Sequence, residues 1–301
     1  MTMHTAATTA KQTITSRDLS MLRDLYKYRY LSVSQVKRLH FPSLQTTYRR
    51  LRLLTSLGHI SGFLVPHITE HIYHLDKGGA KLVAGDLGLS LTELKWRRPD
   101  RKPTDYYFMR HFIELNDFRI TITQACSGAS EIKLLGFIPE YVGEATSDGN
   151  VAKYLKETVC DVAQASSRIR HTPDAVFALE KKGTPALFFL EIDRGTEVVG
   201  REDKGVLKCV KFYLNLLATS QYQRYQQDFA CQPFKGFRAL IVTTTEARVE
   251  NIRQAITQLA IPAKAKQFIW LTHKDRLSEA GLFTSIWLSA DAADQTVYRI
   301  G

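Results

Sequence analysis

Three short helical patterns follow one another within residues 16–57, and this crowding restricts the fold more than any other feature. Apolar residues recur every three or four positions over 16–28, 32–40 and 43–57, which is the spacing of one helix face. The three apolar stripes are Leu19, Leu22, Leu25 and Tyr26; Val33, Val36 and Leu39; and Leu44, Leu51, Leu54 and Leu57. Helices this short depend on packing for their stability, so the sequence predicts a small three-helix unit.

The joins between these patterns indicate a helix-turn-helix. Ser32 and Gln35 have the spacing of a capping box, which begins the second helix. Pro42 stops that helix, because proline disfavours helical dihedral angles at Phe41 before it. Gly58 ends the third helix as a C-cap. The second and third helices are therefore joined by a tight turn.

The face of the third helix opposite its leucines has polar and basic side chains suited to a DNA major groove. In a helix-turn-helix this helix contacts phosphates and base edges. The candidate DNA contacts are Gln45, Thr46, Tyr48, Arg49, Arg50 and Arg52. The alternative is an ordinary solvated face, but the position directly after the turn favours DNA binding.

Residues 59–75 predict a β-hairpin, since apolar residues alternate on both sides of a Pro-containing tip. Three helices followed by a hairpin form the winged-helix arrangement, and 79–87 predict a further helix. Four histidines in this region could also suggest a metal site: His59, His67, His71 and His74. Their spacing fits hairpin positions better than it fits a set of ligands.

Basic residues are concentrated in the N-terminal third of the chain. Residues 1–110 contain 18 Lys and Arg against 8 Asp and Glu, whereas 111–301 contain 23 against 22. Such a local excess is expected of a surface that binds a polyanion, although an excess that merely aids solubility is the alternative. We therefore predict that residues 1–95 form a winged-helix domain that binds double-stranded DNA.

Residues 96–104 predict a basic linker with two prolines, and Arg97 and Arg98 join the candidate DNA contacts. Residues 105–301 predict an α/β core with a mixed sheet, so the chain as a whole is α+β with two domains. A stretch at 143–171 has weak periodicity and predicts a long loop. Helices are expected at 105–126, 198–219, 246–260 and 274–280, and strands at 131–138, 174–179, 186–192, 237–243 and 267–272.

Composition argues against several classes of protein. The sequence contains no run of 18 apolar residues, so it predicts no membrane-spanning helix. Its first residues lack the apolar region that is typical of a secretory signal. Four cysteines lack C-x-x-C spacing: Cys126, Cys160, Cys209 and Cys231. This pattern argues against a disulfide scaffold and a zinc site, and favours a reducing cytoplasm.

Carboxylates mark the ends of the two central strands of the predicted core. Asp174 begins one strand, while Glu191 and Asp193 end the next. An antiparallel pair would bring the three together, and clustered carboxylates usually require a hard cation such as Mg²⁺ or Mn²⁺. Glu114, on the preceding helix, is a candidate fourth ligand. The alternative is a set of exposed acids paired with Arg194 or nearby lysines.

The Pro173-Asp174 pair, followed by Glu191-x-Asp193 after a strand, a turn and a strand, resembles the PD-(D/E)xK nuclease core. That resemblance implies that these acids and a helical acid surround one or two metal ions. More narrowly, the chain resembles the replication-relaxation family of plasmid and mobile-element proteins. The features that match are the N-terminal winged helix, Arg110-His111-Phe112, the PD pair, Leu190 to Glu197 (LEIDRGTE), FRALIVTTTEARVENI, and Ile286-Trp287.

One position departs from the nuclease pattern, because Asp193 stands where the motif has a lysine. In nucleases that lysine positions the attacking water and offsets phosphate charge. Some nuclease-like proteins place it on the next helix, where Lys204, Lys208 and Lys211 share one face. A solvated lysine stripe is the alternative interpretation.

We predict a sequence- or structure-selective protein that binds double-stranded DNA and acts in replication or mobilisation of a plasmid or mobile element. A metal-dependent endonuclease, with Glu114, Asp174, Glu191, Asp193, Lys208 and Lys211 as its catalytic residues, stays open. A transcriptional regulator with an inactive nuclease-like domain also stays open. The expected cofactor is Mg²⁺ or Mn²⁺ or none. The expected partners are DNA, a second copy of the chain, and replication or mobilisation proteins, without a membrane.

Overall fold

The computed structural model describes residues 14–98, 105–145, 151–196, 199–200, 205–259, 261 and 263–301. The chain divides into two compact units, Met1–Asn116 (the N-terminal unit) and Asp117–Gly301 (the C-terminal unit). Both units combine helices with strands, which confirms the α+β class.

The N-terminal unit contains the helices α1 (Ser16–Tyr28), α2 (Val33–His40), α3 (Leu44–Ser56) and α4 (Lys77–Asp86). The side chains of Thr15, Ser32 and Ser43 cap the first three helices by accepting a hydrogen bond from a backbone N–H of the first turn. Ser32 and Gln35 form the predicted capping box. Each cap stabilises its helix by about 1 kcal/mol.

A small antiparallel sheet accompanies these helices. Its strands are β1 (Tyr30–Ser32), β2 (Ile60–Phe63) and β3 (Ile72–Leu75), in the order β1-β3-β2. The predicted hairpin corresponds to β2 and β3. The sequence does not reveal β1, because three residues are too few to display an alternating pattern.

The buried face of α3 differs from the predicted leucine stripe. Leu44 and Leu57 are 47% and 40% exposed, whereas Leu51 and Leu54 are fully buried. Thr47 completes the buried face, because its hydroxyl donates to the carbonyl of Ser43 at 2.8 Å and is thereby satisfied away from water. Hydrophobic periodicity alone passes over such a buried, hydrogen-bonded threonine.

Helix α5 (Tyr106–Gly128) begins in the N-terminal unit. The side chain of Gln35 donates to the carbonyl of Ile113 at 2.9 Å, and Asn116 donates to the carbonyl of Tyr30 at 2.8 Å. The compact units thus divide inside this helix, after Asn116, rather than at the predicted linker. Residues 99–104 of that linker lie outside the described residues, and the predicted domain boundaries stay a prediction.

A mixed seven-stranded sheet forms the centre of the C-terminal unit, in the order β14-β13-β12-β11-β10-β9-β4. Strand β10 is parallel to β11, and β11 to β12, while the remaining pairs are antiparallel. The strands of this sheet are β4 (Ile132–Pro139), β9 (Ala175–Lys181), β10 (Thr184–Ile192), β11 (Phe237–Thr243), β12 (Ile269–His273), β13 (Trp287–Ser289) and β14 (Val297–Tyr298).

The helices α6 (Gly205–Ala218) and α8 (Glu246–Thr257) pack on one face of this sheet around a core of aliphatic and aromatic side chains. Phe189 of β10 lies at its centre, with its ring centroid 5.3 Å from that of Tyr213 and 4.8 Å from that of Phe237. Short helices α7 (Tyr225–Asp228) and α9 (Ala263–Lys266) complete the unit. This packing fixes the end of β10, where the predicted acids lie.

The predicted loop over 143–171 is wrong, because this stretch contains two antiparallel hairpins. They pair β5 (Gly143–Ala145) with β6 (Val151–Lys153), and β7 (Glu157–Asp161) with β8 (Gln164–His171). Strand β7 buries Glu157 and Asp161 on its inward face, and these charged residues conceal the alternation that would predict a strand.

The predicted helix over 274–280 is also wrong. One short 3₁₀ turn, Lys274–Arg276, takes its place, and β13 and β14 follow it at the sheet edge. These strands have three and two residues, too few to produce a period-2 signal. None of the helices in the described part of the chain has the length and hydropathy needed to span a bilayer.

Candidate functional site

The outward face of α3 presents several of the predicted DNA contacts to solvent. Gln45, Arg49 and Arg52 are exposed, and Thr46 and Tyr48 are half-buried. Arg49 and Arg52 form no ion pair with any residue that the structure describes. Their positive charges are therefore available to a ligand outside the protein.

Arg50 behaves differently from its neighbours on α3. Its guanidinium donates through Nε and Nη2 to both carboxylate oxygens of Asp18, at the start of α1. Asp18 is buried, which raises its pKa, but the hydrogen bonds from Arg50 and Thr15 outweigh burial and hold that pKa below its usual value. Arg50 therefore joins α3 to α1, an interaction that sequence spacing does not reveal, and its contact with DNA stays a prediction.

A groove of about 1000 Å³ lies between the start of α1 and the outward face of α3. The arginines that line it are Arg17, Arg49, Arg50 and Arg52. Arg17 is exposed, with its guanidinium carbon 5.7 Å from the ring centroid of Phe41. We name the groove and its arginines the arginine groove.

The sequence-based prediction missed Arg17. A cation in the first turn of a helix is unfavourable beside the positive end of the helix dipole. Arg17 occupies that turn of α1, next to the favourable Asp18. A charge placed against the dipole is the signal that could have identified this residue.

The two linker arginines have different surroundings. Arg97 is exposed, whereas Nη2 of Arg98 lies 2.9 Å from a carboxylate oxygen of Asp76. Asp76 also accepts hydrogen bonds from the hydroxyl of Ser61 and the backbone N–H of Lys77. The carboxylate of Asp76, fixed by these hydrogen bonds, therefore holds the side chain of Arg98 in place within the N-terminal unit.

In the C-terminal unit, Asp174 lies beside the end of β10. Its carboxylate accepts a hydrogen bond from the backbone N–H of Ile192 at 2.6 Å, so it reaches the strand between Glu191 and Asp193. A carboxylate oxygen of Glu140 lies within 4.8 Å of one from Asp174. The antiparallel pairing of β9 with β10 causes this placement, because Ala175 is aligned with Leu190.

Glu191 points to the α6 side of the sheet. Its Oε1 lies 2.7 Å from Nε2 of His171 and accepts a hydrogen bond from the hydroxyl of Tyr213. Burial, and then the charge of Glu191, raise the pKa of Tyr213 well above its usual value, so the phenol stays a donor. The thiol of Cys209 lies within 4.8 Å of both the Glu191 and the His171 ligand atoms.

Asp193 is buried and bound by a different set of groups. Arg248 of α8 donates to both of its oxygens, at 2.9 and 3.1 Å, and Thr243 donates at 2.7 Å. The side chain of Asp193 is 4% exposed, and a buried carboxylate of this kind needs such partners. The position that holds a lysine in the nuclease motif thus holds an acid neutralised by an arginine.

The three acids predicted to share a metal ion therefore turn toward three different partners. Among the residues that the structure describes, no group of ligand atoms within 4.8 Å of one another contains all three. As arranged, they do not fit a single hard cation, because Arg248 already neutralises Asp193. Binding of Mg²⁺ or Mn²⁺ stays a prediction.

The remaining predicted catalytic residues are dispersed. Oε1 of Glu114 lies 3.0 Å from Nε of Arg110, one turn earlier on α5. Nζ of Lys211 lies 2.8 Å from a buried carboxylate of Asp161, and Lys208 is exposed. Lys211 on α6 is thus paired with Asp161 of β7, and its role as a catalytic lysine stays a prediction. Residues Lys204 and Glu197 lie outside the described residues.

A family model described as replication-relaxation matches residues 22–231, which includes parts of both compact units. None of the curated proteins and none of the solved structures gives a significant match.

Proposed function

The chain belongs to the replication-relaxation family, and we propose from this premise that it binds double-stranded DNA in the replication or mobilisation of a plasmid or mobile element. A second copy of the chain and replication or mobilisation proteins are further partners that we propose. The observation that supports DNA binding most strongly is the arginine groove beside the outward face of α3.

The order of elements in the N-terminal unit supports a winged-helix function. Helices α2 and α3 are joined by a tight turn, and the β2–β3 hairpin follows them as a wing. In this arrangement the second helix of the pair enters the major groove. Gln45, Arg49 and Arg52 on α3 then reach base edges and phosphates, while Arg17 reaches a phosphate at the side of the DNA major groove.

Electrostatics supports the same proposal. Arg17, Arg49 and Arg52 form no ion pair with a described residue, so contact with DNA phosphates breaks no ion pair within the described part of the chain at these positions. Each phosphate contact releases counterions, which makes the logarithm of affinity fall with the logarithm of salt concentration by about 0.9 per contact. Binding should therefore have a steep salt dependence.

The experiment measures binding of the full chain to labelled duplex DNA over a range of salt concentrations. Replacing Arg49 and Arg52 together with Ala should weaken binding by at least about tenfold and reduce the salt slope. Arg276→Ala is the control, since Arg276 lies in the C-terminal unit, where it is half-buried and pairs with Glu246. Equal affinity of the folded double variant and the wild type would contradict the proposal.

Metal-dependent cleavage of DNA is a second candidate function, favoured by the position of Asp174 at the end of β10. The Asp193–Arg248 pair and the Lys211–Asp161 pair weigh against it. Incubation of supercoiled plasmid with the protein and Mg²⁺ or Mn²⁺ tests this candidate. Nicking that disappears in Asp174→Ala would support an endonuclease, and intact plasmid with both proteins would contradict it.

A further inference from the structure

A cluster of mixed donor atoms lies between the sheet and α6, separate from the arginine groove. A ring nitrogen of His171, a carboxylate oxygen of Glu191 and Sγ of Cys209 all lie within 4.8 Å of one another. They come from three elements, since His171 ends β8, Glu191 lies in β10 and Cys209 lies in α6. We propose that His171, Glu191 and Cys209 bind a zinc ion.

The donor set identifies the metal. Thiolate and imidazole ligands favour Zn²⁺, whereas Mg²⁺ requires oxygen ligands. Three protein ligands, with water at a fourth position, form a known type of zinc site. Glu191, which the nuclease resemblance assigns to a hard cation, thus lies beside an imidazole and a thiol.

The distances fit a zinc ion after a small movement. Donor atoms of a tetrahedral zinc site are about 3.5 Å apart, as follows from bonds of about 2.0–2.3 Å. Nε2 and Oε1 are 2.7 Å apart in the structure, joined by a hydrogen bond. Zinc would separate these two atoms slightly and take the place of the proton between them, which would pass to solvent or to Nδ1 of His171. The thiol of Cys209 would lose its own proton to solvent and bind the ion as a thiolate.

The groups around the three donors would support such an ion. The hydroxyl of Tyr213 donates to Glu191 and orients its carboxylate, as the partners of metal ligands commonly do. The ring of Phe212 packs with its centroid 4.9 Å from that of His171 and restricts the imidazole. Cys209 is buried, whereas the side chains of His171 and Glu191 are 20% and 14% exposed, which leaves a route for the ion.

Cobalt substitution tests the site in the full chain. Replacing Cys126, Cys160 and Cys231 with Ser leaves Cys209 as the single cysteine, so a thiolate-to-metal absorption band must come from it. We expect one Co²⁺ per chain, a thiolate band with tetrahedral ligand-field bands, and their loss when Zn²⁺ but not Mg²⁺ is added. Absence of the thiolate band would overturn the proposal.

The matched control is Cys209→Ser with the other three cysteines retained. The thiolate band should be absent from this variant, and in the single-cysteine protein His171→Ala should weaken Co²⁺ binding by about tenfold or more. A band that persists in Cys209→Ser would place the metal elsewhere. X-ray absorption of the zinc-loaded wild type needs no variant: one sulfur per zinc supports the site, and none contradicts it.

Discussion

The outward face of α3 and the end of β10 both concentrate charge, but their charges are satisfied in different ways. On α3, Arg49 and Arg52 are exposed, and neither forms an ion pair with a residue that the structure describes. At the end of β10, Glu191 and Asp193 are each held by side chains of neighbouring elements. A ligand of α3 displaces water, whereas a ligand of Asp193 must displace Arg248.

This difference indicates which region can bind an external partner at the lower cost in free energy. Exposed arginines keep their hydration until a polyanion arrives, so binding replaces weak contacts with charge-assisted hydrogen bonds. A buried, paired carboxylate has already exchanged water for protein donors, and removing one partner leaves the other charge uncompensated. The two regions should therefore respond differently to the loss of one charged side chain.

The largest effect on stability is expected at the end of β10. Arg248→Ala leaves the buried carboxylate of Asp193 without its main partner, and loss of one member of such a pair costs about 3–5 kcal/mol. Chemical denaturation should show a decrease of this size in the free energy of unfolding. The double variant Asp193→Asn, Arg248→Ala should recover part of the loss, since no buried charge remains. A loss below about 1 kcal/mol would mean that water screens the pair, and the comparison would fail.

A smaller effect separates two neighbouring arginines of α3. Arg50→Ala removes the hydrogen-bond partner of the buried Asp18 and should lower the free energy of unfolding by about 2 kcal/mol. Arg49→Ala removes an exposed side chain, so its stability should stay within about 0.5 kcal/mol of the wild type. DNA affinity should show the opposite ranking, with the larger loss in folded Arg49→Ala. The same ranking in both measurements would contradict the distinct roles.

The same ion pair predicts how stability depends on pH. Because the folded-state pKa of Asp18 lies below its unfolded value of about 3.9, its contribution is present above that value. The contribution is lost as the pH falls through the lower, folded-state pKa. Wild type should therefore lose more stability than Asp18→Asn between neutral pH and strong acid. Parallel stability curves for the two proteins would show that Asp18 has an ordinary pKa.

The sequence predicted the elements better than it predicted the partners of their side chains. Amphipathic spacing and caps identified α1, α2 and α3, because local patterns determine them. Strand β7 and the short strands β13 and β14 were missed, since inward charges and short lengths remove the periodic signal. The sequence also placed Asp174 and Asp193 on strand ends, but the partner of each acid comes from another part of the chain. Arg248 is 55 residues from Asp193, and no local pattern connects them.

The smallest effect is expected at the two linker arginines, Arg97 and Arg98. Arg98 is held by Asp76, whose pKa is raised by burial but lowered overall by the hydroxyl of Ser61 and by its other donors, so that the carboxylate stays charged. The pair is about one-third exposed at Arg98, so its loss should cost less than about 1 kcal/mol of stability.

A DNA phosphate would have to compete with Asp76 for Arg98, whereas Arg97 is exposed. Arg97→Ala should therefore weaken DNA binding by a few fold, and Arg98→Ala by less than about twofold, a gap that corresponds to well under 1 kcal/mol. Titrations of both variants at low and moderate salt would measure it. A greater loss in Arg98→Ala would show that DNA displaces Asp76, and that an internal ion pair at the surface does not exclude an external ligand.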